Sequence, residues 1–172
     1  IAWYENTDGQ GTFSTQKIIS TQADSAVSVY AADLDADGDM DVLSASLEDD
    51  KIAWYENTDG QGTFSTQKII TLQADYAWSV YAADIDADGD MDVLSASAYD
   101  DKIAWYENTD GQGTFSSQKT ITTQAGAGKS VFAADLDGDG DMDVLSASNR
   151  DDKIAWYENT DGQGTFSTQK VI

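Results

Sequence analysis

The segment IAWYENTDGQGTFS begins at Ile1, Ile52, Ile103 and Ile154, so the chain repeats itself every 51 residues. A period of this length belongs to arrays whose units cannot bury their own faces and are stabilised by stacking on their neighbours. The chain therefore reads as a single repeat array over residues 1–172. It holds a partial unit at 1–19 and full units at about 20–70, 71–121 and 122–172.

Inside one unit the hydrophobic pattern has the short period of strands. SVYAAD (Ser28 to Asp33) alternates, MDVLSAS (Met40 to Ser46) is β-branched and small, and KIAWYEN (Lys51 to Asn57) follows an acidic turn. The glycines of TDGQG then break the chain before TFSTQKII (Thr63 to Ile70) supplies a fourth strand. No segment carries a helical apolar period. The spacing predicts an all-β fold of β-propeller blades, each with four antiparallel strands, and about three and a half blades in this chain. Residue size predicts the radial order. Ala31, Ala32, Ser44, Ala45 and Ser46 suit the crowded axis, whereas Trp54, Tyr55 and Phe64 suit the wider gaps between outer strands. Trp54 and Tyr55 point to opposite faces of one strand, and both are expected in the core between blades.

The chemistry lies in three loops, DLDADGDMD from Asp33, DIDADGDMD from Asp84 and DLDGDGDMD from Asp135. Five carboxylates within nine residues repel one another unless a cation sits among them. Side chains at positions 1, 3 and 5 converge if the chain coils tightly at the Gly of position 6. A carbonyl at position 7 and a carboxylate at position 9 then complete an oxygen cage. The expected ligands are Asp33, Asp35, Asp37, Asp39 and Asp41; Asp84, Asp86, Asp88, Asp90 and Asp92; and Asp135, Asp137, Asp139, Asp141 and Asp143. Asp39, Asp90 and Asp141 serve through their carbonyls. All-oxygen ligation by several carboxylates selects Ca²⁺, with three ions expected, one per complete loop. An EF-hand needs a Glu at position 12, where this chain has Ser44, Ser95 and Ser146, and it needs flanking helices.

The stretch SVYAADLDADGDMDVLSAS, with its D-x-D-x-D-G-x-x-D loop, resembles the FG-GAP repeat of integrin α-subunit propellers and the related VCBS-type repeats of secreted bacterial proteins. Val29-Tyr30 and Ser44-Ala45-Ser46 stand where that family has its Phe-Gly and Gly-Ala-Pro signatures. The resemblance implies an extracellular or cell-surface calcium-binding propeller used for adhesion or ligand binding.

The units differ from one another at few positions. Ser25, Tyr76 and Ala127 share one; Val27, Trp78 and Lys129 a second; Leu47, Ala98 and Asn149 a third; Glu48, Tyr99 and Arg150 a fourth. These belong to the link entering the first strand and the turn between the second and third. In an up-and-down blade both emerge opposite the Asp loops. Tyr76, Trp78, Tyr99, Lys129 and Arg150 are thus the candidate ligand-binding residues, for a carbohydrate or a protein loop.

Composition removes other functions. A formal charge of −23 repels nucleic acid, and the chain has no His and no Cys, which deprives it of the usual base, nucleophile and zinc ligands. No run of about 18 apolar residues offers a membrane span, and any export signal is expected to lie outside the sequence. Glu56 and Asp59 recur in every unit, which points to a structural role in the hairpin, so no enzyme is expected. An open fan of blades leaves apolar faces to be covered by other copies of the chain or by the rest of a longer repeat array. The alternative function is therefore a structural repeat subunit of an extracellular filament or matrix.

Overall fold

A computed structural model describes residues 1–172. Every regular element is a strand. β1 (Ala2–Trp3) and β2 (Lys17–Ile18) form an outer hairpin. The first full blade comprises β3 (Ala26–Ala32), β4 (Asp41–Ser46), β5 (Lys51–Tyr55) and β6 (Lys68–Thr71). The second comprises β7 (Ala77–Ala83), β8 (Asp92–Ser97), β9 (Lys102–Tyr106) and β10 (Lys119–Thr122). The third comprises β11 (Gly128–Ala134), β12 (Asp143–Ser148), β13 (Lys153–Tyr157) and β14 (Lys170–Val171). Each blade is an antiparallel meander in chain order, the arrangement that short turns between successive strands allow. In the first blade Ala32 opposes Asp41, and Leu43 opposes Trp54, which opposes Lys68. A bulge between Ala26 and Ser28 recurs at Ala77/Ser79 and Gly128/Ser130.

The core lies between blades. Leu34, Leu43, Ala45, Ile52 and Trp54 of the first blade pack against Ala77, Val80, Ala82, Val93 and Tyr106 of the second. The same positions one unit later, from Ile85, Leu94, Ile103 and Trp105 to Val131, Ala133, Val144 and Tyr157, fill the next seam. Trp54 thus faces forward and Tyr55 backward from one strand. Trp54 meets Phe115 of the next blade edge-on at 6.4 Å between centroids, and Lys68 of its own blade lies over the ring at 4.1 Å. The indole sits where a Cβ on Gly113 would fall 2.7 Å from Trp54 Cη2, so the next hairpin accepts the ring only because that position has no side chain. The buried tyrosine is satisfied at its polar end, since the Tyr106 hydroxyl accepts from Gln118 Nε2 at 2.9 Å.

The innermost strands are not uniformly small. Tyr30, Tyr81 and Phe132 form a ladder with centroids 4.6 and 4.5 Å apart, while the flanking Ala32 and Ala82 permit close strand approach. At the ends of the array the seam residues are bare. Ile154 is 51% exposed where Ile52 and Ile103 are at 0%, and Val29 is 59% exposed where Val80 and Val131 are at 4%.

Candidate metal centre and variable face

Each Asp-rich loop joins the first strand of a blade to the second. Its coil depends on Gly38, Gly89 and Gly140, whose φ values of 94°, 98° and 100° are open to glycine at little cost. The coil turns carboxylates inward. Single oxygens of Asp33, Asp35 and Asp37 lie within 4.8 Å of one another, as do those of Asp84, Asp86 and Asp92, and those of Asp135, Asp137 and Asp139. Asp33 Oδ2 accepts from the Gly38 amide at 3.0 Å, and Asp37 Oδ1 from the Asp39 amide at 2.8 Å.

The donor sets of the first two loops suit a cation. Asp33 Oδ1, Asp35 Oδ1, Asp84 Oδ1 and Asp86 Oδ1 are buried and meet no hydrogen-bond donor. An unpaired buried carboxylate oxygen is expensive, and a hard divalent cation is the partner that all of them could share. Burial pushes the Asp35 and Asp86 carboxyls up, reinforced by the neighbouring Asp37 and Asp88. Burial likewise raises Asp41 to about 6 and Asp92 to about 7 despite two backbone donors each.

Position 9 has a second task. Asp41 Oδ2 accepts from the Leu34 amide at 2.9 Å and Oδ1 from the Asn57 amide at 2.8 Å, so this fully buried carboxylate ties its loop to the outer hairpin. Position 7 turns its side chain away: a Cβ on Gly60 would come 2.6 Å from Asp39 Oδ2, and Gly111 and Gly162 stand likewise to Asp90 and Asp141. That leaves the carbonyl as the group this position can offer the loop.

Sequence reasoning passed over Asn57, Asn108 and Asn159, which are buried beside the loops. Asn108 Nδ2 donates to the Leu34 carbonyl of the preceding blade's loop at 2.9 Å, and Asn159 Nδ2 to the Ile85 carbonyl at 2.8 Å. Gln112 and Gln163 reach the Asp35 and Asp86 carbonyls. The available signal was the recurrence of an amide in every NTDGQG, where Asp and Gly alone would make the turn.

On the opposite face the turn after the second strand returns to the link before the first. Ala98 donates to the Tyr76 carbonyl, and the Tyr99 amide to that of Asp75. This closes Tyr76 and Tyr99 into a parallel stack with centroids 4.1 Å apart and planes 4° apart. Trp78 lies 5.9 Å from Tyr76, and Lys129 of the next blade sets its Nζ 3.2 Å from the Trp78 centroid. Desolvation holds the Lys129 ammonium below its usual pKa. Four of the five residues expected on this face therefore meet across one seam. Arg150 stands apart from the rings, paired with Asp101 of the neighbouring blade. Lys129 also borders a cleft of about 190 Å³ that lies on the open side of the third blade, lined by Asn149, Lys153 and the bare Ile154 among others.

The FG-GAP-like repeat model matches residues 1–44, 37–95, 88–146 and 135–172, which together span the chain. No curated protein matches. Among solved structures the chain is similar to an Agrocybe aegerita lectin described as specifically recognising non-reducing terminal N-acetylglucosamine. The TM-score is 0.68 at 23% identity, covering 99% of this chain and 45% of the lectin. The chain thus spans less than half of that lectin's length, and the likeness is one of fold.

Proposed function

The chain belongs to the FG-GAP-like repeat family, and from that premise we propose that it is a calcium-stabilised propeller segment that binds a ligand on its variable face. The observation that carries this reading is the convergence of Tyr76, Trp78, Tyr99 and Lys129. In a chain whose units are otherwise nearly identical, four of the residues that differ meet at one place. Tyr99 is 66% exposed, so the stack presents an open aromatic face beside a cation. Such a face suits the apolar side of a sugar ring, and the Lys129 ammonium beside it would meet the ring's hydroxyls. The similarity to a lectin supports a carbohydrate over a protein loop. The role is binding and not catalysis, since the regularly placed carboxylates are engaged in the loops and hairpins.

Calcium is the ion proposed for the loops. Asp33, Asp35, Asp37 and Asp41 would hold it through carboxylates and Asp39 through its carbonyl, with the equivalent residues in the other two loops. When bound it would offset about half of the charge of its four carboxylate ligands and so fix the connection between the two inner strands of a blade. We place the protein outside cells, where millimolar calcium would load such loops.

Glycan-array binding of the 172-residue chain in millimolar calcium, repeated with Tyr99→Ala, tests the reading. Saccharide binding lost in the variant supports it. Absence of any bound glycan, or binding indifferent to Tyr99→Ala, contradicts it. A second reading, as a subunit of an extracellular filament or matrix, is favoured by one observation. The bare Ile154 and Val29 faces carry the same residues that bury each other at the internal seams, so other copies or further repeats would fit them.

A further inference from the structure

Asn108 is 1% exposed, and its backbone amide and both ends of its side-chain amide are hydrogen-bonded. Its backbone amide donates to Asp92 Oδ1 at 2.8 Å, in the loop of its own blade. Its Nδ2 donates to the Leu34 carbonyl at 2.9 Å, in the loop of the preceding blade. Its Oδ1 accepts from the Gly113 amide at 3.2 Å, which holds the side chain at that angle. Asn159 repeats the pattern toward Asp143 at 2.9 Å, Ile85 at 2.8 Å and Gly164 at 3.1 Å.

The loops themselves supply the remaining links. The amide of Leu34 donates to Asp41 Oδ2, that of Ile85 to Asp92 Oδ2 at 2.9 Å, and that of Leu136 to Asp143 Oδ2 at 3.1 Å. One path therefore runs from Asp41 through the N–H and C=O of residue Leu34 to Asn108 and Asp92. It continues through the Ile85 peptide to Asn159 and Asp143. Every carboxylate on it occupies position 9 of a loop.

We propose that Asn108 and Asn159 are positioning residues that make cation binding in adjacent blades one coupled event. The inference rests on the metal reading above. Without a cation, repulsion among the carboxylates opens a loop and moves the Leu34 peptide, which costs Asn108 its long-range partner. Ordering of that loop restores the bond, holds Asn108 in place and so aims its amide at Asp92 in the next loop. The buried, donorless oxygens of Asp33, Asp35, Asp84 and Asp86 lie in the two loops that receive such a clasp. The third loop receives none in this chain. Leu136 is 43% exposed where Leu34 and Ile85 are at 1%, and the three gathered ligands of that loop are all exposed.

Asn57 provides an internal control. Its amide serves Asp41, its Oδ1 accepts from Gly62, and its Nδ2 reaches the Met40 carbonyl of its own blade, as those of Asn108 and Asn159 also reach Met91 and Met142, but it makes no bond to a preceding loop. Calcium binding by titration calorimetry is compared for the unmodified chain, Asn108→Ala and Asn57→Ala. The expected result is a titration with a Hill coefficient above 1 for the unmodified chain and for Asn57→Ala. In Asn108→Ala the steepness falls to that of the one link left, through Asn159, and the first loop weakens roughly tenfold, the scale of one buried hydrogen bond.

Three non-cooperative sites in the unmodified chain, or identical losses in the two variants, would overturn the coupling and leave the metal reading standing. No calcium bound at all overturns both. Should Asn108→Ala fail to fold, Asp86→Ala in the second loop replaces it. Silencing that loop weakens the first loop if the two are coupled and leaves its affinity unchanged if they are not.

Discussion

Ile103 and Ile154 occupy the same place in the same KIAWYEN segment, one facing a blade and the other facing water. Strand propensity and the pairing to Ala96 or Ala147 of the second strand cancel between them, which leaves the seam as the main difference. Replacing Ile103 by Ala removes three carbons from a fully buried site. At about 0.8 kcal/mol per carbon the transfer loss is about 2.4 kcal/mol, and the cavity left in a closed seam brings the total to about 3–4 kcal/mol. At Ile154 half of the side chain is already solvated and no closed cavity forms, so the cost is about 1 kcal/mol. For a chain of this size a difference of about 2–3 kcal/mol separates the melting temperatures by roughly 4–12 °C. Thermal melts of both variants, followed by circular dichroism at one fixed calcium concentration, read that difference. Equal losses at the two sites would refute the claim that blades bury their cores against one another.

Glycine-to-alanine pairs test the same seams by steric blockade. Gly113 and Gly11 both hold positive φ, 77° and 95°, so each substitution to Ala carries a left-handed strain of about 1–2 kcal/mol. Only Gly113→Ala also displaces an indole, and it should lower the melting temperature further and red-shift tryptophan emission; matching spectra for the two variants would count against the Trp54 seat. The outer hairpins predict an acid limb. The Thr63 hydroxyl and the Gln61 and Thr63 amides hold the Asp59 carboxyl below its usual range, and Asp8, Asp110 and Asp161 are held down similarly. A depressed native pKa stabilises the fold above the unfolded value, near 3.8, and that contribution is lost as pH falls through the native value. In chelator, stability should therefore decline below about pH 4, and replacing all four by Asn should flatten the decline; an unchanged acid limb would show that these carboxylates do not set it.

Much of the blade is legible in the sequence because its causes are local. Alternation, small residues and the TDGQG break specify four strands, and Trp54 and Tyr55 on one strand can both be buried only if blades stack on both sides. The gathering of carboxylates is local too, but its membership varies: positions 1, 3 and 5 come together in the first and third loops, and positions 1, 3 and 9 in the second. What escapes reading depends on partners far along the chain. Asn108 looks like a turn residue until its amide is seen on a carbonyl 74 residues away. Arg150 groups with the variable face by position, yet Asp101 draws it aside. Tyr30, Tyr81 and Phe132 belong to strands expected to be small, and their ladder forms only when three blades are fanned in register.

The central claim is that cations complete these blades, and thermal unfolding of the intact chain across a calcium titration, with bound metal counted in parallel, tests it most directly. Three ions per chain are predicted, with a melting temperature that climbs as they bind, since a ligand held by the folded state alone at about a hundredfold its dissociation constant contributes about 2.7 kcal/mol per site. An identical melting temperature in chelator and in millimolar calcium, with no metal retained, would contradict the account.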